Sequence, residues 1–233
     1  MSSGLAIVGY GKMGRLIEQL APEYGFDVRA KFSRENNLHD SGISQESLRG
    51  IDVAVEFTTP DSAPDNLRRL ASLGINTVCG TTGWFEHLSA VHKAIPSAGT
   101  GLVYSANFSV GVNVFLSVVR EAAKLLADEK EYGAWAWEIH HDTKKDAPSG
   151  TMIKLVEEMK SAGYPRNIDV SSSRAGRHPG THEIGFDSAA DTITLRHAAR
   201  SREGFARGAL KAAQWIVGKQ GVFEFSDVLF SKR

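Results

Sequence analysis

Leu5-Ala6-Ile7-Val8-Gly9-Tyr10-Gly11-Lys12-Met13-Gly14 is a short apolar run that ends in a G-x-G-x-x-G spacing. The run is strand-like, and the spacing after it reads as a tight turn into a helix. Gly9 permits the turn, Gly11 lets a backbone approach a pyrophosphate, and Gly14 lets helix and strand pack closely. Tyr10, Lys12 and Met13 complete the turn. A helix N-terminus offers free amides and a positive dipole end, which suit phosphate. The competing reading is a strand–helix turn of another α/β protein, so the surrounding pattern has to decide.

That pattern alternates. A helix runs from Lys12 to about Leu20 and is closed by Pro22 and Gly25. Val28–Phe32 reads as a second strand, Arg34 to Gly50 as polar loop, and Ile51–Phe57 as a buried parallel strand broken by Thr58-Thr59-Pro60. Leu67, Leu70, Ala71 and Leu73 carry a helix on a 3–4 spacing. Asn76–Cys79 and Leu102–Ser105 are two further strands, with a helix from about Glu86 to Ala94 between them. Strands and helices alternating at this spacing predict a Rossmann-like, doubly wound parallel sheet.

After Asn107 the texture changes. The sequence predicts a helix over Val112 to Leu126, a strand around Trp135–His140 and a helix from Thr151 to Ala162. Two hairpin strands, His182–Phe186 and Thr192–His197, are joined by a turn at Ser188–Asp191. Phe205–Val217 is again helical, and Val222–Phe230 reads as strand or loop. Trp135 and Trp137 share one strand face and read as packing residues.

Composition narrows the function. Hydrophobic residues make up 42% and charged residues 23% of the 233, a soluble globular profile. Lys plus Arg number 27, as do Asp plus Glu, so the balance excludes a general nucleic-acid binder. No apolar run reaches the roughly 18 residues of a membrane span. Met1-Ser2-Ser3-Gly4 leads into Leu5 without a secretion-signal pattern, so a cytoplasmic location is expected. The lone Cys79 excludes an intrachain disulfide and a multi-cysteine metal site. With no base evident nearby, it reads as a buried strand residue.

Three further stretches carry chemistry. An NAD-specific fold places an acid about 20 residues past the glycines, on the ribose 2′-hydroxyl. Here Ser33 and Arg34 occupy that zone. A guanidinium can grip a 2′-phosphate, so NADPH is expected, with NADH possible and a plain loop charge the competing reading of Arg34. Gly80-Thr81-Thr82-Gly83 follows a strand at the sheet's carboxyl edge, where ligands bind, although a plain turn would look the same.

The third stretch is the densest: Glu138-Ile139-His140-His141-Asp142-Thr143-Lys144-Lys145-Asp146-Ala147-Pro148-Ser149-Gly150-Thr151. Ser149 is the expected N-cap of a helix that stops at Gly163, with Met152, Leu155, Val156 and Met159 on its buried face. Gly150 and Thr151 then present free amides, an anion site beside two lysines and two histidines. Adjacent strand residues face opposite ways, so His140 and His141 do not readily chelate one ion, and no metal is expected. Solvated turn charges are the competing reading. Arg174, Arg177 and His178 form a small basic patch expected in a loop, facing the same anion or solvent.

Together these stretches resemble the dihydrodipicolinate reductase (4-hydroxy-tetrahydrodipicolinate reductase) family of lysine and diaminopimelate biosynthesis. Glu138–Thr151 looks like that family's signature, and Gly80–Gly83, Ser105–Asn113 and Gly208-Ala209-Leu210 are similar as well. The resemblance implies His140 as acid–base group, Lys144 as a second proton donor, and His141, Gly150 and Thr151 on the substrate carboxylates. It implies cofactor contacts from Gly9–Gly14, Ser33, Arg34, Gly80, Thr81, Thr82, Ser105, Ala106, Asn107 and Phe108. It implies a dinucleotide-binding domain of residues 1–107 and 207–233, with an inserted α+β substrate-binding and oligomerisation domain of 108–206 that forms a homotetramer. Ser33 departs from the family's usual acid, and the 170–182 segment is short. The expected reaction is hydride transfer to a cyclic imine dicarboxylate, with loss of water from its 4-hydroxy precursor. Another NADP-linked amino-acid or semialdehyde dehydrogenase is an alternative, as is a non-catalytic NADP(H)-binding protein.

Overall fold

Apolar segments on both sides of the Gly9–Gly14 turn pack into two compact units in the computed structural model, which describes residues 2–37 and 41–230. The loop read over 34–50 includes residues 38–40, and the terminal range 207–233 includes 231–233; these, with residue 1, lie outside the described residues. Unit one takes the described residues up to Ser109 and from Phe205 onward, and unit two is Val110–Gly204.

Unit one contains β1 (Ser3–Val8), α1 (Lys12–Leu20), β2 (Phe26–Phe32), β3 (Val53–Glu56), α2 (Ala63–Ser72), β4 (Asn76–Cys79), α3 (Leu88–Ser97) and β5 (Gly101–Tyr104). Its strands form a parallel sheet with a sixth strand, β10 (Gly221–Glu224), in the order β10-β5-β4-β3-β1-β2. Leu5, Ala6, Ile7 and Val8 are all fully buried, the signature of a strand covered on both faces. One core joins Val8, Phe32, Ala54 and Leu70, and another joins Leu67, Cys79, Trp84 and Leu102. Full burial of Leu67 or Leu70 contributes about 1.5–3 kcal/mol each. The register aligns Phe32, Val8, Glu56, Cys79 and Tyr104 in one row. Every loop that leaves this row starts at the same carboxyl edge.

Unit two contains α4 (Val110–Leu125), β6 (Gly133–His140), α5 (Gly150–Ser161), β7 (Ile168–Arg174), β8 (Thr181–Asp187) and β9 (Thr192–Ala198). Its mixed sheet has the order β7-β6-β8-β9, with β6 and β7 parallel and the other pairs antiparallel. Phe115 and Val119 of α4 and Met152, Leu155 and Met159 of α5 pack against Ala136, Ile184 and Phe186. By strand alternation, Glu138 and His140 share the covered face with Ala136, and both are buried. Trp135 and Trp137 take the opposite face and are half-buried there.

The chain then runs through α6 (Glu203–Ile216), β10 (Gly221–Glu224) and α7 (Phe225–Phe230). Small residues let α6 pack closely: a Cβ on Gly208 would sit 1.7 Å from the Phe108 carbonyl oxygen.

Two sequence readings need correction, and one strand stands where the sequence reading gives none. Ile168–Arg174 is a strand, which its polar Ser171-Ser172-Ser173 centre concealed. Arg174 therefore ends a strand and does not lie in a loop. Val222–Phe230 is a short strand followed by a helix, with Glu224 amide capped by Asp227 at 2.9 Å.

Candidate functional site

At the carboxyl edge of unit one, Gly9 has φ +98°, and a Cβ there would fall 2.0 Å from the Phe57 carbonyl oxygen. Gly14 is required differently: its Cβ would meet the Gly9 oxygen at 2.5 Å. Gly11 differs from both, since nothing lies within 4 Å of its Cβ position. The protein itself does not need that glycine, so the open space serves whatever approaches the turn.

Gly11, Lys12 and Met13 line a cavity of about 450 Å³ with Phe57, Thr58, Pro60, Gly80, Thr81 and Thr82. No side chain caps the α1 N-terminus, and its first turn carries no acid. This combination fits the phosphates of a dinucleotide.

Other expected cofactor residues stand outside that lining. Tyr10 bonds the Glu18 carboxylate and lies under Arg15 and Lys31. Ser33 is half-buried, its amide donating to Asn36 Oδ1 at 2.6 Å, while Arg34 is exposed and has no partner among the described residues. Ser105 and Asn107 brace one turn, Ala106 is exposed there, and Phe108 is buried against Phe225.

Sequence reading missed the group beneath this cavity. Glu56 is fully buried and accepts from Thr81 Oγ1 at 2.7 Å, Cys79 Sγ at 3.1 Å, Asn66 at 3.4 Å and the Thr58 hydroxyl. Burial raises its carboxyl above the usual range despite these donors. Burial and Glu56 push the Cys79 thiol well up, so it is inert. From sequence, Phe57, Thr58 and Pro60 read only as a strand end.

Unit two assembles its site from sheet register. Glu138 stands directly beside Ser172 on β7 and His182 on β8, and His140 stands beside Arg174. Glu138 Oε1 accepts from the Ser149 amide at 3.0 Å, Ser172 Oγ at 3.0 Å and Arg174 Nη2 at 2.8 Å. Its Oε2 accepts from the Ser149 hydroxyl, whose oxygen in turn accepts from the Met152 amide at 3.2 Å and caps α5. Burial pushes the Glu138 carboxyl up, but bonds from Ser149, Arg174 and Ser172 outweigh it and hold the group low. His182 Nε2 lies 3.1 Å from Ser149 Oγ. Because the serine's single proton goes to Glu138, His182 is the donor in that pair.

His140 is buried edge-on to His182, with ring centroids 5.0 Å apart. Its Nδ1 faces Glu138 Oε2 at 3.7 Å and has no hydrogen-bond partner among the described residues. A Cβ on Gly180, at φ +141°, would strike His140 Nε2 at 2.9 Å, so glycine makes room for this ring. Burial lowers the His140 proton affinity; Glu138 opposes that, while Lys144 and Arg174 add to it.

The loop after β6 supplies cations. Lys144 Nζ reaches both Asp146 oxygens at 2.8 Å and holds that carboxyl low. His141 Nδ1 lies 2.7 Å from Thr143 Oγ1. The amides of Gly150 and Thr151 open α5, whose first turn has no acid. Arg177 and His178 are exposed, whereas Arg174 is drawn inward to Glu138 and to the Asp146 carbonyl. Unit two therefore brings His140 close to Glu138, which binds Ser149 at the start of α5, with Lys144 near enough to act on the charge of His140. Glu138, His140 and His182 have ligand-like spacing for a metal, but both Glu138 oxygens are already engaged by serine donors and a guanidinium. That donor set makes a hydrogen-bonded network. The functional reading of Glu138, Arg174 and His182 needed register; the one local signal was the i, i+2 spacing of Glu138 and His140.

Residues 4–108 match the family description for the N-terminus of dihydrodipicolinate reductase, and residues 111–229 match that for its C-terminus. The chain is 33% identical over 236 aligned residues to a 4-hydroxy-tetrahydrodipicolinate reductase of Christiangramia forsetii, covering 97% of each. It is 34% identical to one of Rickettsia bellii, over 93% of this chain and 90% of the relative. In structure it is similar to a dipicolinate-bound dihydrodipicolinate reductase from Paenisporosarcina sp. TG-14, with TM-score 0.79 and 22% identity over 96% and 98% of the chains. An amine dehydrogenase from Mycobacterium smegmatis has a related fold, with TM-score 0.63 and 10% identity over 97% and 96% of the chains.

The buried network makes stability depend on pH. Burial, then the neighbouring His140, lower His182 from 6.5 to about 4. Between those values the unfolded chain binds a proton that the folded chain refuses, so stability falls as pH falls through that window. Glu138, held low, loses stability in the same direction. The His182 contribution is at most about 3 kcal/mol. Denaturant unfolding from pH 7 to 4 should show this loss, and His182→Gln should flatten it. An unchanged slope in that variant contradicts the assignment.

Proposed function

The chain belongs to the dihydrodipicolinate reductase family, and we propose that His140 and Lys144 carry the proton chemistry of its reaction. That reaction is the reduction of 4-hydroxy-tetrahydrodipicolinate to tetrahydrodipicolinate, a step of lysine and diaminopimelate biosynthesis, by an oxidoreductase using a nicotinamide dinucleotide. The reduced nicotinamide, when bound, supplies the hydride. One proton must also enter and one water leave, so a protonated side chain is required.

His140 fills that role as acid–base group, and a histidine can donate near neutrality. Lys144 is the second donor: two of its contacts go to Asp146, and an ammonium has three protons to give. His141 and the Gly150 and Thr151 amides hold the carboxylates of a small dicarboxylate substrate. The observation that carries this reading is the start of α5, where Ser149 caps the helix and the first turn has no acid, with His140 and Lys144 close by. The likeness to a dipicolinate-bound reductase agrees with it, dipicolinate being a planar dicarboxylate.

The Gly9–Gly14 turn holds the pyrophosphate, with Gly80, Thr81, Thr82 and the Ser105–Phe108 turn at the same sheet edge. NADPH is the preferred cofactor, with NADH a poorer one. Ser33 presents no charge to repel a 2′-phosphate, and Arg34 is unpaired among the described residues. Residues 1–107 and 207–233 form the dinucleotide-binding domain, and 108–206 the substrate-binding and oligomerisation domain. The assembly is a cytoplasmic homotetramer built through the sheet face that carries Trp135 and Trp137, both half-buried and opposite the face that α4 and α5 cover. No helix among the described residues is long and apolar enough to cross a membrane.

His140→Ala and Lys144→Ala should each lower kcat by about 10²-fold or more while the NADPH Kd stays within about twofold. Stopped-flow NADPH oxidation on freshly made substrate, with fluorescence titration of NADPH, measures both quantities. Normal turnover in both variants contradicts the assignment.

Cofactor choice has its own test. Ser33→Asp with Arg34→Ala should move the ratio of kcat/KM for NADPH over NADH toward NADH by about tenfold. An unchanged ratio removes these two residues from cofactor choice.

A further inference from the structure

The reaction as assigned leaves one buried ionic group without a task. Glu138 has no exposed surface, lies on the same strand face as His140, and is bound by donors from α5 and β7. Those donors clamp the start of α5 to the sheet and fix the carboxylate in place. A purely structural clamp would need nothing more.

One feature is not structural. His140 Nδ1 is buried, unpartnered among the described residues and aimed at Glu138 Oε2 across 3.7 Å. The charged and titratable groups that face this imidazole come from every element around it: Glu138 on β6, His182 on β8, Arg174 on β7, and Lys144 and Asp146 in the following loop. Arg174 and Lys144 oppose a proton on His140. His182 is neutral near pH 7, and its ring stands at 72° to that of His140. Asp146 is exposed and engaged by Lys144. Glu138 is therefore the acceptor in position to receive an Nδ1 proton. Catalytic hydrogen bonds are often long in unliganded sites and shorten in the working complex.

We propose that Glu138 is a positioning residue for the proton step: its fixed carboxylate receives the Nδ1–H of His140 and turns the opposite ring nitrogen, Nε2, to the substrate. The inference rests on the assignment of His140 as acid–base group. Gly180 completes the arrangement, because any side chain there would displace Nε2. No atom of Glu138 touches the reacting atoms, and no proton leaves it.

The test is the pH dependence of kcat in the full-length enzyme with Glu138→Gln, Glu138→Asp, His140→Gln and the double variant Glu138→Gln/His140→Gln. A carboxylate this close favours imidazolium, so its loss should move the alkaline limb of kcat toward acid by about one pH unit or more. At a pH above that limb, kcat should fall about tenfold, with KM for NADPH unchanged. Glu138→Asp keeps the charge but withdraws it, so the limb should stay within a few tenths of a pH unit while kcat drops several-fold. In the His140→Gln background, Glu138→Gln should add no further pH effect.

An alkaline limb that Glu138→Gln leaves in place, while His140→Gln is inactive, overturns the proposal and leaves Glu138 a clamp. A limb that moves equally in both backgrounds overturns it too. Should Glu138→Gln not fold, full kcat in Glu138→Asp is the overturning result. Normal turnover in His140→Gln instead overturns the acid–base assignment, a distinct failure.

Discussion

A carboxylate inside a protein is tolerated only when its charge is met. Glu138 meets that condition with two bonds from Ser149, one from Ser172 and one from Arg174. This one group joins β6, β7 and the start of α5. Glu138 takes both the hydroxyl and the amide of Ser149, and the Gly150 and Thr151 amides are the next donors of the helix start. The anion site, the cap and the surroundings of His140 thus follow from a single buried charge. Removing one partner of such a group costs about 3–5 kcal/mol, because the other is left uncompensated.

Unit one offers the contrast. Glu56 is as buried as Glu138, but its donors are hydroxyls, a thiol and an amide, with no cation among them. Burial wins at Glu56 and raises its carboxyl; at Glu138 the serines and the guanidinium win and lower it. The same side chain is tuned in opposite directions by how far its donors, Ser149 and Arg174 foremost at Glu138, offset burial. Both carboxyls sit behind loops that line a candidate site: Thr58 and Thr81 in one unit, Ser149 in the other.

What could be read in the chain beforehand follows interaction range. The glycine turn is local, and Gly9 and Gly14 proved sterically necessary while Gly11 faces open space. The Ser149 cap is local too, and it was found with the bond to Met152 that defines it. Strand β7 escaped because three serines erase its apolar alternation, and its place in the sheet comes from pairing with β6. His182 lies far from Glu138 along the chain and meets it only through antiparallel register, which no spacing rule encodes. Arg174 reads from sequence as a loop charge facing an anion or solvent, because its partner belongs to another strand. Family resemblance supplied roles for His140 and Lys144, whereas the network behind them needed the fold.

The site requires Glu138 to be ionised and His182 to be a neutral donor to Ser149. Long-range nitrogen–proton correlation spectra of imidazole-labelled protein at neutral pH report this directly. The expected spectrum has His182 uncharged with its proton on Nε2, remaining so until the pH approaches 5. A charged His182 at neutral pH, or a proton found on Nδ1, would contradict the hydrogen-bond direction on which the site is built.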